Sequence, residues 1–590
     1  MSCPFRIDLS HKLYFSASPS SPLLFLLVLL TVNPRAGVAF LFFAGNAAEW
    51  LGAGHHQFKI TIDASELRNR GFLRARAYVA SPGGFTLTLD GKQVGADTIG
   101  IGQWVDFTKS THHRVVDVPL SSLLGGRALA AATTGTGRDT SELVVHIGCG
   151  TWCPCPVPTW LHSHRNITTV AGGEPVVKFL FAVEDTNGSS VLLHASSAED
   201  PRVSSRRGPV ANSSSWLGSV RHWTDAAAAE PYTSPARPVP QATVAADIPK
   251  AERTLAQPQI ETGVGVPADS VRTVAATADN GTPVTKHIYA FKSMVVGAAR
   301  VNADAWSGKG TLSLSYCEYW LDSEAAKCSP LAGYPAAGVV DTHIVDSTTG
   351  GSHDLDTLFS WHGFQYVVVT VVDDEAGGSL HFRGSVADVL AVPIGGSVVE
   401  EGKPRDTADA PAHITFSGGV PGHAETLQSI HTIATRGILQ NTVSGMPTDC
   451  PTREKHGWVG DAMSVATATM YTKWAPTVHE YFLEQVIDGQ NEAGDVPVAV
   501  PCHGGVDAGM VDYSWTAGLP RIARWMQQYY GDVGEKQLAW WPNTKKWLDA
   551  QLTSSQNTLP KNASRNQKEP PFLPRICSRT RLGCFCPERL

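Results

Sequence analysis

Between residues 50 and 400 the chain alternates apolar and polar side chains in short runs. The clearest are FKITID (58–63), FTLTLD (85–90), SELVVHIG (141–148), VVKFLFAV (176–183), TLSLSY (311–316) and YVVVTVV (366–372). A period of two sends successive side chains to opposite faces of a strand, one toward a core and one toward solvent. Turn-forming stretches punctuate the runs: SPGG (81–84), DGK (90–92) and NGS (187–189). Asp90-Gly91 lies between two strand-like runs, a strong hairpin signal. Short strands at this spacing predict β-sandwiches.

After residue 420 the period lengthens. Leu427, Ile430, Ile433 and Ile438 recur at helical spacing within 423–442. Residues 461–490 predict one long helix or a pair broken near Pro476. Residues 519–532 predict an amphipathic helix ending at Gly531. Residues 535–552 predict another, with Pro542 as a break or a helix start. The layout is β-sandwich domains followed by a helical domain.

Composition shifts set the boundaries. An apolar leader occupies 1–45, a first β-sandwich 48–223, an Ala- and Pro-rich linker or loop 224–258, and a second β-sandwich 259–400. A polar stretch at 400–413 precedes the helical part, 412–552. The polar, Pro-rich end, 553–590, continues no apolar period and is expected to be irregular.

At 590 residues and 42% hydrophobic content the chain is long enough for several cores. Lys+Arg 47 against Asp+Glu 54 gives a net charge of −7, which argues against a nucleic-acid partner. The run PLLFLLVLL (22–30), with Arg6 and Lys12 upstream, has the length of a signal-peptide core rather than of a membrane span. Together with AGVAFLFF (36–43) it gives a minority reading as an anchor. Sequons at Asn166, Asn187, Asn212, Asn280 and Asn562 agree with secretion, the one at Asn280 weakened by Pro283. The 11 cysteines are scattered. Cys149, Cys153 and Cys155 lack the spacing of a zinc site, and no metal or cofactor is implied. Cys317 and Cys328 are a candidate disulfide pair, with unpaired or buried thiols as the competing reading.

Only 17% of the residues are charged, yet TDCPTREKHGWVGDA (448–462) gathers Asp449, Arg453, Glu454 and Asp461 around Trp458. Each has a structural role open to it. Asp461 suits the positive end of a helix, Asp449 and Arg453 can pair, and Trp458 can simply pack. A chemical role is open too. Glycoside hydrolysis needs a protonated carboxyl for the leaving oxygen and a second carboxylate on the other face of the sugar. Neighbouring carboxylates at Asp449 and Asp461 would raise the pKa of Glu454 and keep it protonated. Arg453 can hold a hydroxyl or a partner carboxylate, and Trp458 can wall the C–H face of a sugar.

The stretch resembles the signature of the α-L-rhamnosidases of glycoside hydrolase family seventy-eight: Asp-Cys-Pro, then Arg and an acidic residue, then Gly-Trp-x-x-Asp. Asp449, Cys450, Pro451, Arg453, Glu454, Gly457, Trp458 and Asp461 match it in order. The resemblance implies Glu454 as general acid, Asp449 and Asp461 as rhamnose-binding carboxylates, and Arg453 and Trp458 as the family's arginine and aromatic wall. GDVPVAVP (494–501) resembles the family's Gly-x-x-Pro…Pro segment. VDYSWTAGLP (511–520) resembles its next substrate-facing loop, which implies Trp515 and Asp512 as substrate contacts. Upstream, 74–107 resembles the family's N-terminal sandwich, and FSWHGFQYVVV (359–369) its His-Gly-Phe-Arg-Tyr strand, with Gln365 in the Arg place. YAFKSMVVGAARV (289–301) departs from the pattern in lacking the usual Asp, Gly and Asn.

The resemblance covers roughly 48–552 and implies β-sandwiches followed by the first part of an (α/α)6 toroid. The implied activity is inverting exo-hydrolysis of terminal α-L-rhamnose from glycosides or polysaccharides. The family's general base, a glutamate of the second half of the barrel, is assigned to no residue here. The expectation is therefore a truncated product that is inactive as written and has apolar helix faces left uncovered. The competing readings are a non-catalytic rhamnose-binding protein and a gene-model fragment.

Overall fold

The architecture is that of a computed structural model describing residues 51, 56–63, 72–103, 105, 112–123, 140–148, 176–185, 190–195, 202–206, 211–215, 218–223, 260–278, 281–318, 320–322, 327–328, 340–348, 352–373, 378–396, 416–417, 419–420, 422–443, 445–451, 455–473, 475–501, 512–531 and 535–558. The leader, the 224–258 linker, Cys149, Cys153 and Cys155, and the sequons at Asn166, Asn187, Asn280 and Asn562 lie outside them. Asn212 falls in the strand Ala211–Ser215.

The alternating runs are strands. In Gln57–Asp63, Phe58, Ile60 and Ile62 are buried while the intervening residues are half-exposed. The Asp90-Gly91 hairpin is present, with Leu89 paired to Lys92. Both turn residues have positive φ, 49° and 77°, as a two-residue turn matched to strand twist requires. Lys92–Val94, Phe85–Leu89, Thr140–Ile147, Gln57–Asp63 and Val203–Arg206 form one sheet in that order. Arg114–Val118, Phe72–Ala80, Lys178–Asp185 and Ser190–Ala195 form a second. Phe58 and Ile60 from one sheet share a core with Phe179 and Phe181 from the other, which makes this a sandwich.

The second β region is organised around the 19-residue strand Pro283–Val301. It pairs with Ser270–Thr277 along its first half, Val389–Gly396 along its second, and His362–Asp373 along both, across an irregularity between Ala290 and Val295. Trp306, Leu312, Leu314, Phe364 and Val367 fill its core. Cys317, buried at the end of Trp306–Cys317, is disulfide-bonded. One boundary differs from expectation. The hairpin Ala211–Ser215/Gly218–Trp223 falls within the range assigned to the first sandwich, but Gly218–Trp223 pairs in parallel with Val340–Asp346 of the second β region.

Six helices follow among the described residues: α1 (His423–Gln440), α2 (Val459–Thr472), α3 (Pro476–Asp488), α4 (Tyr513–Thr516), α5 (Gly518–Tyr530) and α6 (Glu535–Thr558). Of the two readings of 461–490, the broken pair is the one observed. Pro476 opens α3, where its missing N–H costs nothing. Gly531 ends α5 with φ 78°. Two expectations are corrected. Pro542 neither breaks nor starts a helix but lies inside α6. Trp540 Nε1 donates to Glu484 on one side of it and Trp547 Nε1 to Thr516 on the other, so tertiary bonds offset the roughly 3 kcal/mol that an interior proline costs. The irregular tail begins later than residue 553, since α6 runs to Thr558.

Ala462, Ala466, Phe482, Val486, Leu519, Ile522, Met526 and Trp540 join α2, α3, α5 and α6 in one core. α1 behaves differently. None of its residues is buried, and Leu427, Ile430 and Ile433 are 47%, 58% and 70% exposed. Its C-terminal end is tied to the second sandwich, where Arg436 donates to the Met294 carbonyl at 2.7 Å.

Candidate functional site

The site begins where the chain leaves α1. Thr442–Val443 pairs with Met446–Pro447 in a tight reversal, and Thr448 N donates to the Asn441 carbonyl. Asp449 then closes the following loop on itself. Its backbone N–H donates to the His456 carbonyl at 3.2 Å, its Oδ1 accepts from the His456 N–H at 3.1 Å, and its Oδ2 accepts from Cys450 Sγ at 3.2 Å. Arg453 and Glu454, the implied arginine and general acid, lie outside the described residues.

At the far end of the loop, Gly457–Trp458 pairs with Ala499–Val500, and Val459 N donates to the Val498 carbonyl at 2.8 Å. Gly457 has no room for a side chain: a Cβ would lie 2.5 Å from Met446 Sδ and 2.6 Å from the Val500 carbonyl oxygen. α2 starts at once. Trp458 at its N-cap makes no capping bond, and Asp461 sits half-buried in the first turn, at the positive end of the helix.

The third segment comes from α4. Asp512 Oδ1 accepts from the Ser514 N–H at 2.8 Å, the Trp515 N–H at 3.3 Å and the Ser514 hydroxyl at 2.5 Å. The Ser514 hydroxyl and these backbone N–H groups hold its pKa below the usual carboxylate value. The Asp512 carboxylate is therefore an N-cap, and it fixes the start of the helix that carries Trp515. The Trp515 ring lies over Gly460, where a Cβ would come within 2.7 Å of it. It meets Trp458 edge to face, with centroids 5.3 Å apart. The structure thus brings together the three segments singled out in the sequence, with Trp458, Trp515 and Asp461 at one helix start.

Lys455, which the sequence reading did not single out, anchors the end of this loop. It is buried, with φ 53°, a left-handed conformation that costs a residue other than glycine about 1–2 kcal/mol. Its Nζ donates to the Trp361 carbonyl and lies 4.6 Å from the centroid of the Trp361 ring. Burial pushes the ammonium down to about 7, against the opposing pull of Asp341 and Cys450. Asp341 is itself fully buried in the second sandwich and accepts from Tyr316 at 2.6 Å, Thr357 at 2.9 Å and His362 Nε2 at 3.0 Å. A lysine in a polar loop reads as a solvated surface group. The only signal pointing toward its socket was the His362-Gly363-Phe364 strand, noted for another reason. Gln365, in the Arg place of that strand, donates to the Phe291 carbonyl at 3.3 Å.

Among the described residues, no group of three or more His, Cys, Asp or Glu side chains is arranged to hold a metal ion, and no helix is long and apolar enough to cross a membrane. Residues 418–568 match the family model of the bacterial α-L-rhamnosidase six-hairpin glycosidase domain, which bears out the resemblance read from the sequence. No curated protein matches the chain. Among solved structures, the α-L-rhamnosidase of Dictyoglumus thermophilum is 18% identical with a TM-score of 0.59, over 87% of this chain and 52% of that one. The α-L-rhamnosidase of Streptomyces avermitilis, solved in complex with L-rhamnose, is 20% identical with a TM-score of 0.58, over 85% and 42%. That of Aspergillus terreus is 16% identical with a TM-score of 0.57, over 85% and 52%. The chain shares their fold and spans about half of their length.

Proposed function

We propose that this chain carries the sugar-gripping side of an inverting exo-α-L-rhamnosidase, and that its helices are the first part of an (α/α)6 toroid. The observation that carries this reading is the convergence of 455–458, 498–501 and 512–516 on one helix start, inside the segment that matches the rhamnosidase domain. Trp458 and Trp515 supply an apolar wall for the C–H face of rhamnose. Asp449, Arg453 and Asp461 bind its hydroxyls, and Asp512 acts through Trp515 as the cap of its helix. Glu454 is the general acid, which protonates the leaving oxygen while water attacks the opposite face of the sugar.

No residue of this chain is assigned as the base that activates that water. Rhamnose binding is therefore the property expected of the chain by itself. Calorimetric titration of L-rhamnose into the full chain tests this, with Asp461→Asn as the control. Saturable binding that the substitution weakens supports the site, and a folded sample that binds no rhamnose overturns it. An aryl α-L-rhamnoside offered to the same sample separates binding from turnover. If it is hydrolysed, Glu454→Gln must abolish hydrolysis for the acid assignment to stand. The apolar run at 22–30 and the disulfide at Cys317 support secretion, which N-terminal sequencing of the protein collected from the medium of a secreting host tests.

A further inference from the structure

Among the described residues of 449–458, Asp449 and His456 bond to each other, and Lys455 bonds to a different domain. Lys455 follows Glu454 directly in sequence. Its stem leaves the helical part and its ammonium ends at Trp361, just before the strand His362–Asp373 of the second β region, bonded to the Trp361 carbonyl and set over the Trp361 ring. Behind Trp361 comes His362, stacked on Tyr316 with ring centroids 4.0 Å apart, and both donate to the same oxygen of Asp341. Burial lowers the His362 pKa ahead of the opposing pull of Asp341, which favours a neutral ring. Asp341 attracts Lys455 across the domain boundary. A buried cation is tolerated only where acceptors, a π face or a counter-charge replace its water, and this socket offers an acceptor in the Trp361 carbonyl and a π face in its ring. The backbone meets the socket only by taking a left-handed turn at Lys455, so the conformation of the loop and the seating of the ammonium are one event.

We propose that Lys455 is a positioning residue: seated against Trp361, it fixes where Asp449 and His456 meet and with it the placement of the sugar-binding carboxylates. The inference rests on the rhamnose-binding reading for its functional half only. The second sandwich, on this view, serves as the template for one wall of the site.

The test uses the full chain with two readouts: amide hydrogen exchange at Asp449 and His456, and L-rhamnose affinity by calorimetry. Lys455→Met keeps the stem and removes the donor and the charge. It is expected to speed exchange at both amides about ten-fold or more while strand amides of 362–373 stay as in the wild type, and to weaken rhamnose binding by a similar factor. Lys455→Arg, which keeps charge and donors, is expected to restore both to within about three-fold. Asp341→Asn acts from the other domain and is expected to speed the same two amides, so it decides the matter should Lys455→Met fail to fold. Wild-type exchange at Asp449 and His456 in folded Lys455→Met, or in Asp341→Asn, overturns the proposal. Fast exchange in a protein whose wild type binds no rhamnose upholds the positioning role and overturns the rhamnose reading instead.

Discussion

Trp458 and Trp515 meet edge to face, their rings perpendicular and 5.3 Å apart, although 57 positions separate them in sequence (515 − 458). Neither ring is fully buried. Aromatic pairs of this geometry contribute about 0.5–1.5 kcal/mol beyond the area they bury. Trp515→Ala removes one wall of the candidate site and the partner that orients the other. It is expected to weaken L-rhamnose binding about ten-fold, as read by calorimetry. Unchanged affinity would remove Trp515 from the site.

Gly460 is the floor under that pair. A methyl group there meets three Trp515 ring atoms at 2.7, 2.8 and 3.1 Å. Alanine gains up to about 1 kcal/mol of helix propensity, but an indole cannot yield as the end of a flexible side chain can, and overpacking costs about 1–3 kcal/mol. Gly460→Ala is expected to lower stability in urea unfolding and to shift tryptophan emission. A gain in stability would show that the ring moves freely.

Tyr316 donates to Asp341 at 2.6 Å, with both side chains buried. Tyr316→Phe leaves the shape intact but takes a donor from a buried carboxylate. Hydrogen bonds to charged groups contribute about 1.5–3 kcal/mol, so a loss of that size is expected in denaturant unfolding. The same variant is expected to loosen the loop amides of Asp449 and His456, which exchange measurements read directly.

Burial lowers the pKa of both His113 and His479 from 6.5 to about 4. Each ring is neutral in the folded chain and takes up its proton more readily when unfolded. The unfolded state therefore binds more protons between pH 4 and 6.5. Stability from these residues is full above pH 6.5 and falls as the pH drops through that window, by about 3 kcal/mol for each histidine. His479→Leu is expected to flatten the acid limb of a plot of unfolding free energy against pH by the roughly 3 kcal/mol that this one histidine contributes. An unchanged slope would mean that other groups govern the acid limb.

The strands and the Asp90-Gly91 turn were legible because their causes are local: a two-residue period, and two positions with positive φ. The Pro476 break was legible as one of two readings for the same kind of reason. The failures are all tertiary. Pro542 looked like a boundary because sequence shows the bond a proline loses but not the Trp540 and Trp547 bonds that hold the helix around it. The 211–223 hairpin looked like part of the first sandwich because nothing local reveals a parallel partner more than a hundred residues away. The N-cap role of Asp512, by contrast, has a local mark in the Asp-x-Ser pattern before its helix. In the site, the segments could be named and their convergence observed, but a buried ammonium at Lys455 leaves no mark in composition or period.

The strand Pro283–Val301 runs through the second β region with partners along both of its halves, and this has a mechanical consequence. Neighbours flank its first half and its second half, on either side of the irregularity between Ala290 and Val295. A tensile load applied between its ends would act along rows of hydrogen bonds in shear, so that many must break together rather than peel one by one. Under force this sandwich is expected to yield in a single rupture, with the long strand as its tie-beam.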